Sequence, residues 1–246
     1  MSGERREQGF LQEPLTTSEQ QTLIYAILSN KEILSRYNAG EVIVYPFVEE
    51  NVKTSSVDVT LGEYYYRPNK DHGIKYYNPW SEDHVSKVYG DFQKAELASK
   101  LFGDDLPDGV EPNDKIIVAY PGEILLCHTE EFIGAKSEYT TMMSARSGIG
   151  RNDIVVCNCA GWGDVGYFNR WTMEIKTAGF GGELPVVLTV GRRIAQITFL
   201  ATGPIIKSPY SADGKYQQSE ELEILRASWR PEMMLPRLFN DKEVKK

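Results

Sequence analysis

The sequence predicts a mainly β protein, an antiparallel sandwich or barrel with short N-terminal helices. One observation is a close succession of apolar runs in residues 115–201, which read IIVAY, EILLCHTEEF, DIVVCNCA, RWTMEIK, PVVLTV and IAQITFL. A second is that glycine and proline separate these runs, as PG, SG, GWGDVG, GFGGELP and VGRR. Short strands at this spacing favour antiparallel sheets over alternating βα units. We therefore interpret residues 115–201 as the β core and residues 202–246 as a C-terminal tail.

Composition limits the class of protein. The 246 residues are 41% hydrophobic and 25% charged, as expected for a globular protein. We expect a single domain over residues 1–246. Residues 1–16 are polar, and we expect them to be loose. A net charge of −8 argues against a nucleic-acid binder, because phosphate backbones are held by surplus Lys and Arg. No apolar run reaches the roughly 20 residues of a membrane span. The N-terminal MSGERREQGF lacks the apolar core of a secretory signal, so we expect a cytoplasmic protein with no membrane partner.

Two capping-box spacings predict short helices within residues 17–40. The two pairs are Thr17 with Gln20 and Ser29 with Glu32. In each pair a hydroxyl lies three residues before a side chain that can bond to the backbone amide of the hydroxyl residue. Apolar residues recur at the helical period after the first of these boxes. We expect both helices to pack against the body of the protein.

Strand signals begin directly after these helices. The runs EVIVYP, at Glu41–Pro46, and SVDVTL, at Ser56–Leu61, are β-branched and bounded by polar residues. Residues 63–114 are rich in Tyr, Asp, Lys and Pro, and we interpret them as a partly helical insertion with a helix around Asp91–Phe102. Packing is the expected role of its tyrosines, and stacking on a base is the alternative.

The strand at Arg170–Lys176 carries a candidate general base. Alternation predicts that its apolar side chains face the core, namely Trp171, Met173 and Ile175. Glu174 then lies on the opposite face. Partial burial can raise the pKa of such a carboxyl toward neutrality, where it can act as a base. A solvated or salt-bridged glutamate is the alternative.

The segment Arg146–Arg151, RSGIGR, is a candidate anion-binding turn. Gly148 and Gly150 let the backbone approach a ligand closely, and the two arginines supply charge-assisted hydrogen bonds. The chain lacks the GxxxxGK[ST] pattern, so this is not a Walker A loop. Taken alone, the segment is equally explained as a surface turn with two arginines.

A zinc-dependent deaminase site is considered and rejected. The HTE tripeptide at residues 128–130 has the HxE form, and Cys157 and Cys159 could supply thiolates. A CxC in a strand, however, lacks the turn that brings two sulfurs onto one tetrahedral ion. We therefore expect no zinc, with Cys157 and Cys159 on one face of a buried strand. The odd number of cysteines, with Cys127, indicates free thiols.

The stretch Arg146–Lys176, with the later strand RRIAQITF, resembles the dCTP deaminase branch of the dUTPase-like superfamily. That branch has RSSLGRLGL, TAGWIDPGF, TLEI, PG-x-RIGQLxF and a KYQ-type tail. This chain has RSGIGRNDI, CAGWGDVGY, RWTMEI, VGRRIAQITF and GKYQQ in the same order. The resemblance implies a dUTPase-like distorted β-barrel or jelly roll, a homotrimer, and zinc-free deamination of dCTP to dUTP and ammonia. It also implies Mg²⁺ held mainly by the nucleotide phosphates.

The resemblance implies roles for individual residues. Glu174 matches the general base, while Ser147 and Arg151 match residues that hold the attacking water and stabilise the intermediate. The carbonyl of Ala160 matches a further contact to that water or the amino group, and Asp164 matches an aspartate near the deoxyribose. The expected substrate contacts are Arg146, Ser147, Gly148, Ile149, Gly150, Arg151, Asp164, Thr172, Met173, Glu174, Gln196, Tyr210, Lys215 and Gln218. Gln217 competes with Gln218 for the last of these positions.

Three alternatives to deamination of dCTP alone stay open at this point. Asp164 also stands where dUTPases keep the base that activates water, so the chain could deaminate dCTP and then release dUMP and pyrophosphate. A pure dUTPase is the second alternative, and Glu174 argues against it because dUTPases lack an acid at that position. The third is a non-catalytic nucleotide-binding regulatory protein.

Overall fold

The computed structural model describes residues 26–136, 138–179, 182–206, 209–217, 219–241 and 243–244. The α-helices are α1 (Asn30–Asn38), α2 (Glu82–Tyr89), α3 (Ala98–Phe102), α4 (Ser147–Gly150), α5 (Tyr210–Asp213) and α6 (Leu222–Ser228). The strands are β1 (Val42–Tyr45), β2 (Val57–Thr60), β3 (Tyr64–Tyr65), β4 (Gln93–Lys94), β5 (Glu96–Leu97), β6 (Lys115–Ala119), β7 (Ile124–Ala135), β8 (Tyr139–Ala145), β9 (Ile154–Val155), β10 (Trp162–Gly163), β11 (Phe168–Thr177), β12 (Val186–Thr189) and β13 (Arg193–Ala201). Short 3₁₀ turns lie at Glu49–Asn51, Pro231–Met234 and Leu238–Asn240.

The predicted mainly β fold is confirmed. One antiparallel sheet has the strand order β1-β7-β11-β9 and another has the order β10-β8-β13-β2. Side chains from both sheets, among them Leu125 and Met173 from the first and Val59 and Ile197 from the second, belong to one hydrophobic core. The two sheets therefore pack on each other, as a sandwich or jelly roll requires. A smaller sheet, β12-β6-β5, and the β3-β4 hairpin complete the strand pairing.

The second capping box gives the helix that the sequence predicts. The Ser29 hydroxyl accepts a hydrogen bond from the Glu32 amide at 3.4 Å, and α1 runs from there to Asn38. Ile33 of this helix is fully buried in the core. The helix expected at Thr17 and the loose segment 1–16 lie outside the described residues. None of the described helices is long and apolar enough to cross a bilayer.

The prediction of a helix around Asp91–Phe102 is wrong for most of that range. Helix α2 lies earlier and ends at Gly90, whose φ of 57° is unfavourable for other residues. The chain then extends, because β4 pairs with β3 and β5 pairs with β6. Only α3 remains of the expected helix. Pairing with distant strands therefore overrides the local helical pattern.

The apolar runs in the sequence did not predict strand β8, although it lies inside the β core. Its sequence, YTTMMSA, carries two threonines that are nevertheless buried. Thr140 tolerates burial because its hydroxyl donates to the carbonyl of Gly163 at 2.5 Å. This partner is provided by β10, so the strand depends on a contact that its own sequence does not reveal.

A second hydrophobic cluster covers the outer face of the β7–β11 pair. It consists of Tyr66, Leu126, Phe132, Phe168, Leu225, Trp229 and Met234. These side chains come from the insertion, from the two strands and from the tail. The insertion and the tail therefore pack over the same face of the sheet, which is the face predicted to carry Glu174.

Candidate active site

A cavity of about 620 Å³ lies between this outer face and the segments that cover it. Such a volume is typical of small-molecule sites in proteins. Its lining residues are Tyr89, Ile124, Leu126, Asn158, Ala160, Trp162, Gly163, Asp164, Tyr167, Asn169, Arg170, Trp171, Thr172, Glu174, Tyr210, Lys215, Tyr216, Trp229, Met233, Met234 and Pro236. Six of the predicted site residues are among them: Ala160, Asp164, Thr172, Glu174, Tyr210 and Lys215.

Glu174 occupies the floor of the cavity. The predicted alternation of β11 is confirmed, because Trp171, Met173 and Ile175 are buried whereas Thr172 and Glu174 face the cavity. The Oε2 atom of Glu174 is buried and has no hydrogen-bond partner among the described residues. Burial raises the pKa of this carboxyl to about 7. Near neutral pH the group therefore exchanges a proton in either direction, as a general acid–base requires.

The turn before β10 carries Ala160 to one side of the cavity. Asn158 and Cys159 adopt positive φ values of 35° and 67°, which non-glycine residues rarely do outside functional turns. Position 161 requires glycine, because a Cβ there would lie 2.3 Å from the Met143 carbonyl oxygen. Asp164, just beyond β10, is exposed at the cavity wall. The turn thus presents a main-chain segment and a carboxylate to the same space as Glu174.

This turn corrects the expectation for the two neighbouring cysteines. Cys157 is half-buried and Cys159 is exposed, so they do not share one face of a buried strand. The strand β9 ends at Val155, and the positive φ values turn the chain directly after it. Cys127, Cys157 and Cys159 are all free thiols.

The tail closes the side of the cavity next to the start of β11. The buried amide of Gln217 accepts a hydrogen bond from the Phe168 amide at 2.8 Å and donates to the Gly166 carbonyl at 3.0 Å. These bonds hold Tyr210 and Lys215 at the cavity wall, where Lys215 forms an ion pair with Asp241. Gln217 therefore has a structural role, and the predicted site residue Gln218 lies outside the described residues.

A tryptophan from the tail also lines the cavity. The ring of Trp229 lies 4.7 Å from the guanidinium carbon of Arg170 and 4.7 Å from the His128 ring centroid. Arg170 also forms an ion pair with Glu130 at 3.1 Å. The sequence did not single out Trp229, Arg170 or Tyr89. No local motif marks them, because each reaches the cavity only through packing of distant segments.

The HxE residues have structural positions. His128 is fully buried, its Nδ1 donates to the Thr129 carbonyl at 2.8 Å, and its Nε2 accepts from the Tyr64 amide at 3.2 Å. Burial lowers the pKa of His128 to about 4, so the ring is neutral. Within the described ranges, no group of three or more His, Cys, Asp and Glu side chains is arranged to hold a metal ion.

The Arg146–Arg151 segment does not line the Glu174 cavity. The Arg146 Nε is paired at 3.2 Å with Asp58, a carboxylate that is only 2% exposed and also binds Arg193. Ser147, Gly148, Ile149 and Gly150 form the single turn α4. Ser147 and Arg151 are exposed to solvent. Within one chain, the predicted anion site and the predicted base are therefore separate.

Two further predicted contacts also lie away from the cavity. Gln196 is on β13 of the other sheet, where its side chain donates to the Ser144 hydroxyl at 3.3 Å. Met173 is fully buried, so its side chain faces the core rather than the cavity. Neither side chain contributes to the enclosed site of a single chain.

A family model described as dCTP deaminase-like matches residues 27–202. The chain belongs to this family. A dCTP deaminase of Halorubrum lacusprofundi is 29% identical over 210 residues, which cover 84% of this chain and 93% of that protein. A protein of Streptomyces avermitilis named dCTP deaminase, dUMP-forming, is 28% identical over 187 residues, covering 76% of this chain and 86% of its own.

A solved structure of a dCTP deaminase-like protein agrees with the fold. The 2'-deoxycytidine 5'-triphosphate deaminase from Agrobacterium tumefaciens superposes with a TM-score of 0.51 at 17% identity, over 72% of this chain. This chain matches 48% of that longer chain, so the likeness concerns the fold alone. The dCTP deaminase-like match ends at residue 202. The wall that the tail contributes to the cavity therefore lies beyond the matched region.

Proposed function

We propose that this protein hydrolyses dCTP to dUTP and ammonia. The observation that carries the proposal is the state of Glu174, a carboxyl with a pKa of about 7 that lines a 620 Å³ cavity and whose Oε2 has no hydrogen-bond partner among the described residues. A solvated surface glutamate would have neither property. The family and the named dCTP deaminase relatives support a deoxycytidine nucleotide as the occupant.

The residues fit a two-stage hydrolysis. The ionised Glu174 takes a proton from water while the water oxygen bonds to C4 of the cytosine, and the carboxyl passes that proton to N3. In the second stage Glu174 moves the proton of the new C4 hydroxyl to the amino nitrogen, the C4–N bond breaks, and ammonia leaves as the C4 carbonyl of uracil forms. A pKa near 7 suits Glu174 to both directions of transfer. The Ala160 carbonyl, at the wall of the same cavity, is the expected acceptor for the water or the amino group.

A homotrimer would complete this site. Ser147 and Arg151 are exposed and lie outside the Glu174 cavity, although the resemblance assigns them to the same reaction. A neighbouring subunit could bring them to it. The surface near α4 supports association, since a 520 Å³ groove there is lined by exposed Met142, Val155 and Trp162. Arg151 would then stabilise charge in the intermediate from across the interface.

Mg²⁺ would enter with the triphosphate and neutralise part of its charge. Because the described residues offer no cluster of three or more metal-binding side chains, the phosphates and water would supply most ligands. Lys215, at the cavity wall, is the expected protein contact to the phosphates. A cytoplasmic location stays a prediction from the sequence.

The decisive experiment uses purified protein with dCTP and Mg²⁺, measuring ammonia release and separating the nucleotides by chromatography. Glu174→Gln should lower turnover by a factor of about 10²–10⁴ while calorimetry still detects nucleotide binding. Glu183→Gln, at an exposed glutamate outside the cavity, is the matched control and should keep full activity. Undiminished turnover in Glu174→Gln would refute the assignment of the base.

The same chromatogram tests the dUMP-forming alternative. Asp164 lines the Glu174 cavity and the Streptomyces avermitilis relative is named dUMP-forming, so a second hydrolysis has a candidate base. Accumulation of dUTP supports deamination alone. Accumulation of dUMP that reverts to dUTP in Asp164→Asn would show that both steps occur.

A further inference from the structure

The wall of the cavity nearest the insertion is formed by Tyr89, the last residue of helix α2. This residue lies in the insertion at residues 63–114, outside the sequence motifs that carry the family resemblance. Its ring meets Tyr66 edge-on, with centroids 6.2 Å apart. Tyr66 is itself fully buried in the cluster on the outer face of the sheet. Tyr89 is therefore held in place by the body of the protein rather than extended into solvent.

The strand register places Tyr66, the packing partner of this tyrosine, on the same face as Glu174. Tyr66 and Leu126 exchange two backbone hydrogen bonds, of 2.8 and 3.0 Å, and Leu126 is the register partner of Glu174. Directly opposed residues in antiparallel strands point to the same face. Tyr66, Leu126 and Glu174 thus form a row across this face of the sheet, in which Leu126 and Glu174 line the cavity and Tyr89 packs against Tyr66.

Glu174 and Tyr89 both line this cavity. Glu174 Oε2 is buried and unpaired among the described residues. Burial raises the pKa of the Tyr89 phenol to about 12, so its hydroxyl stays protonated and can donate a hydrogen bond near neutral pH. A protonated phenol and a buried carboxyl oxygen without a partner among the described residues, both at the wall of one cavity, fit a polar ligand between them.

We propose that Tyr89 is a substrate-binding residue, whose hydroxyl hydrogen-bonds the polar edge of the cytosine beside Glu174 and fixes the ring for attack at C4. This inference rests on the proposed deamination and adds a residue from the insertion to its site. It gives residues 63–114 a direct part in recognising the base. Ala160 lines the same cavity, so the Ala160 turn and the insertion would both contact the base.

The test compares Tyr89→Phe with the wild type and with Tyr76→Phe, a control in the same insertion whose side chain is 76% exposed. Phenylalanine keeps the packing on Tyr66 and removes only the hydroxyl. Loss of one neutral hydrogen bond should lower kcat/KM for dCTP about three- to tenfold, with an unchanged melting temperature. Tyr76→Phe should match the wild type in both measurements. A purely structural role would leave kcat/KM of Tyr89→Phe unchanged, and that result would overturn the proposal.

Binding measurements separate this inference from the proposed function. If the wild type releases no ammonia from dCTP, deamination fails, and the affinities of wild type and Tyr89→Phe for dCTP and dUTP then decide the role of Tyr89. Weaker binding in Tyr89→Phe would support the contact. Equal affinity, or no nucleotide binding by the wild type, would overturn it.

Discussion

Glu174 and the Arg146–Arg151 turn differ in how completely one chain surrounds them. Glu174 is enclosed by side chains from the insertion, the turn at Ala160 and the tail, and this enclosure moves its pKa to about 7. Ser147 and Arg151 are exposed, and Arg146 is paired with Asp58, which it shares with Arg193. A single chain therefore builds the acid–base half of the site, while the exposed residues are free to serve a neighbouring subunit.

The largest expected effect comes from mixing two inactive variants. Glu174→Gln and Arg151→Ala should each lower turnover of dCTP by a factor of about 10² or more. If each site takes Glu174 from one subunit and Arg151 from the next, random one-to-one assembly leaves about a quarter of the sites intact. Ammonia release after joint refolding should therefore recover to about a quarter of the wild-type rate.

The control mixture combines Glu174→Gln with Glu174→Ala, which cannot form an intact site in any arrangement. If the Glu174→Gln and Arg151→Ala mixture stays as inactive as this control, the two residues do not meet across an interface. The difference in exposure between Glu174 and Arg151 would then have a cause other than a site shared between subunits.

Trp229→Ala tests whether the tail builds the enclosed half. Trp229 is buried against His128, Arg170 and Tyr64, so truncation leaves a large void and should lower the free energy of unfolding by about 3 kcal/mol. The opened wall should also raise KM for dCTP. Urea denaturation and steady-state kinetics measure the two effects. Trp80→Ala, at a tryptophan that is 49% exposed, should change neither, and equal effects of both substitutions would contradict this role of the tail.

A smaller effect follows from the pKa of Glu174. Its folded-state pKa is about 7 against a usual value of 4.5, so the folded protein binds the extra proton between these pH values. Stability must then fall as pH rises through this window, because above it the folded state holds a buried charge. The Glu174→Gln variant lacks this pH-dependent contribution to stability. The variant should gain about 2 kcal/mol relative to the wild type between pH 5 and pH 8.

Urea denaturation of both proteins at the two pH values measures that gain. All other titrating groups are shared, so their contributions cancel in the difference. A difference in the free energy of unfolding that does not change with pH would mean that Glu174 titrates as a solvated carboxyl. Glu174 would then be no more enclosed than the Arg146–Arg151 turn.

The parts of the fold predicted correctly are those governed by short-range pattern. The period of two along β11 placed Trp171 and Met173 in the core and Glu174 outside it, because neighbouring side chains in a strand point to opposite faces. Ser29 was identified as a cap because its hydroxyl acts three residues away. Strand β8 and the strands in place of the Asp91–Phe102 helix were missed, because their stability comes from partners far along the chain.

The sequence by itself determined the family resemblance, the strand that carries Glu174 and the turn that carries Ala160 and Asp164. These depend on residue types at fixed spacing within one segment. Only the tertiary structure decided that Trp229 and Tyr89 close the cavity, that Gln217 anchors the tail, and that Arg146 pairs with Asp58. The physical reason is that burial, and with it the pKa of Glu174, depends on which distant segments exclude water from its carboxyl.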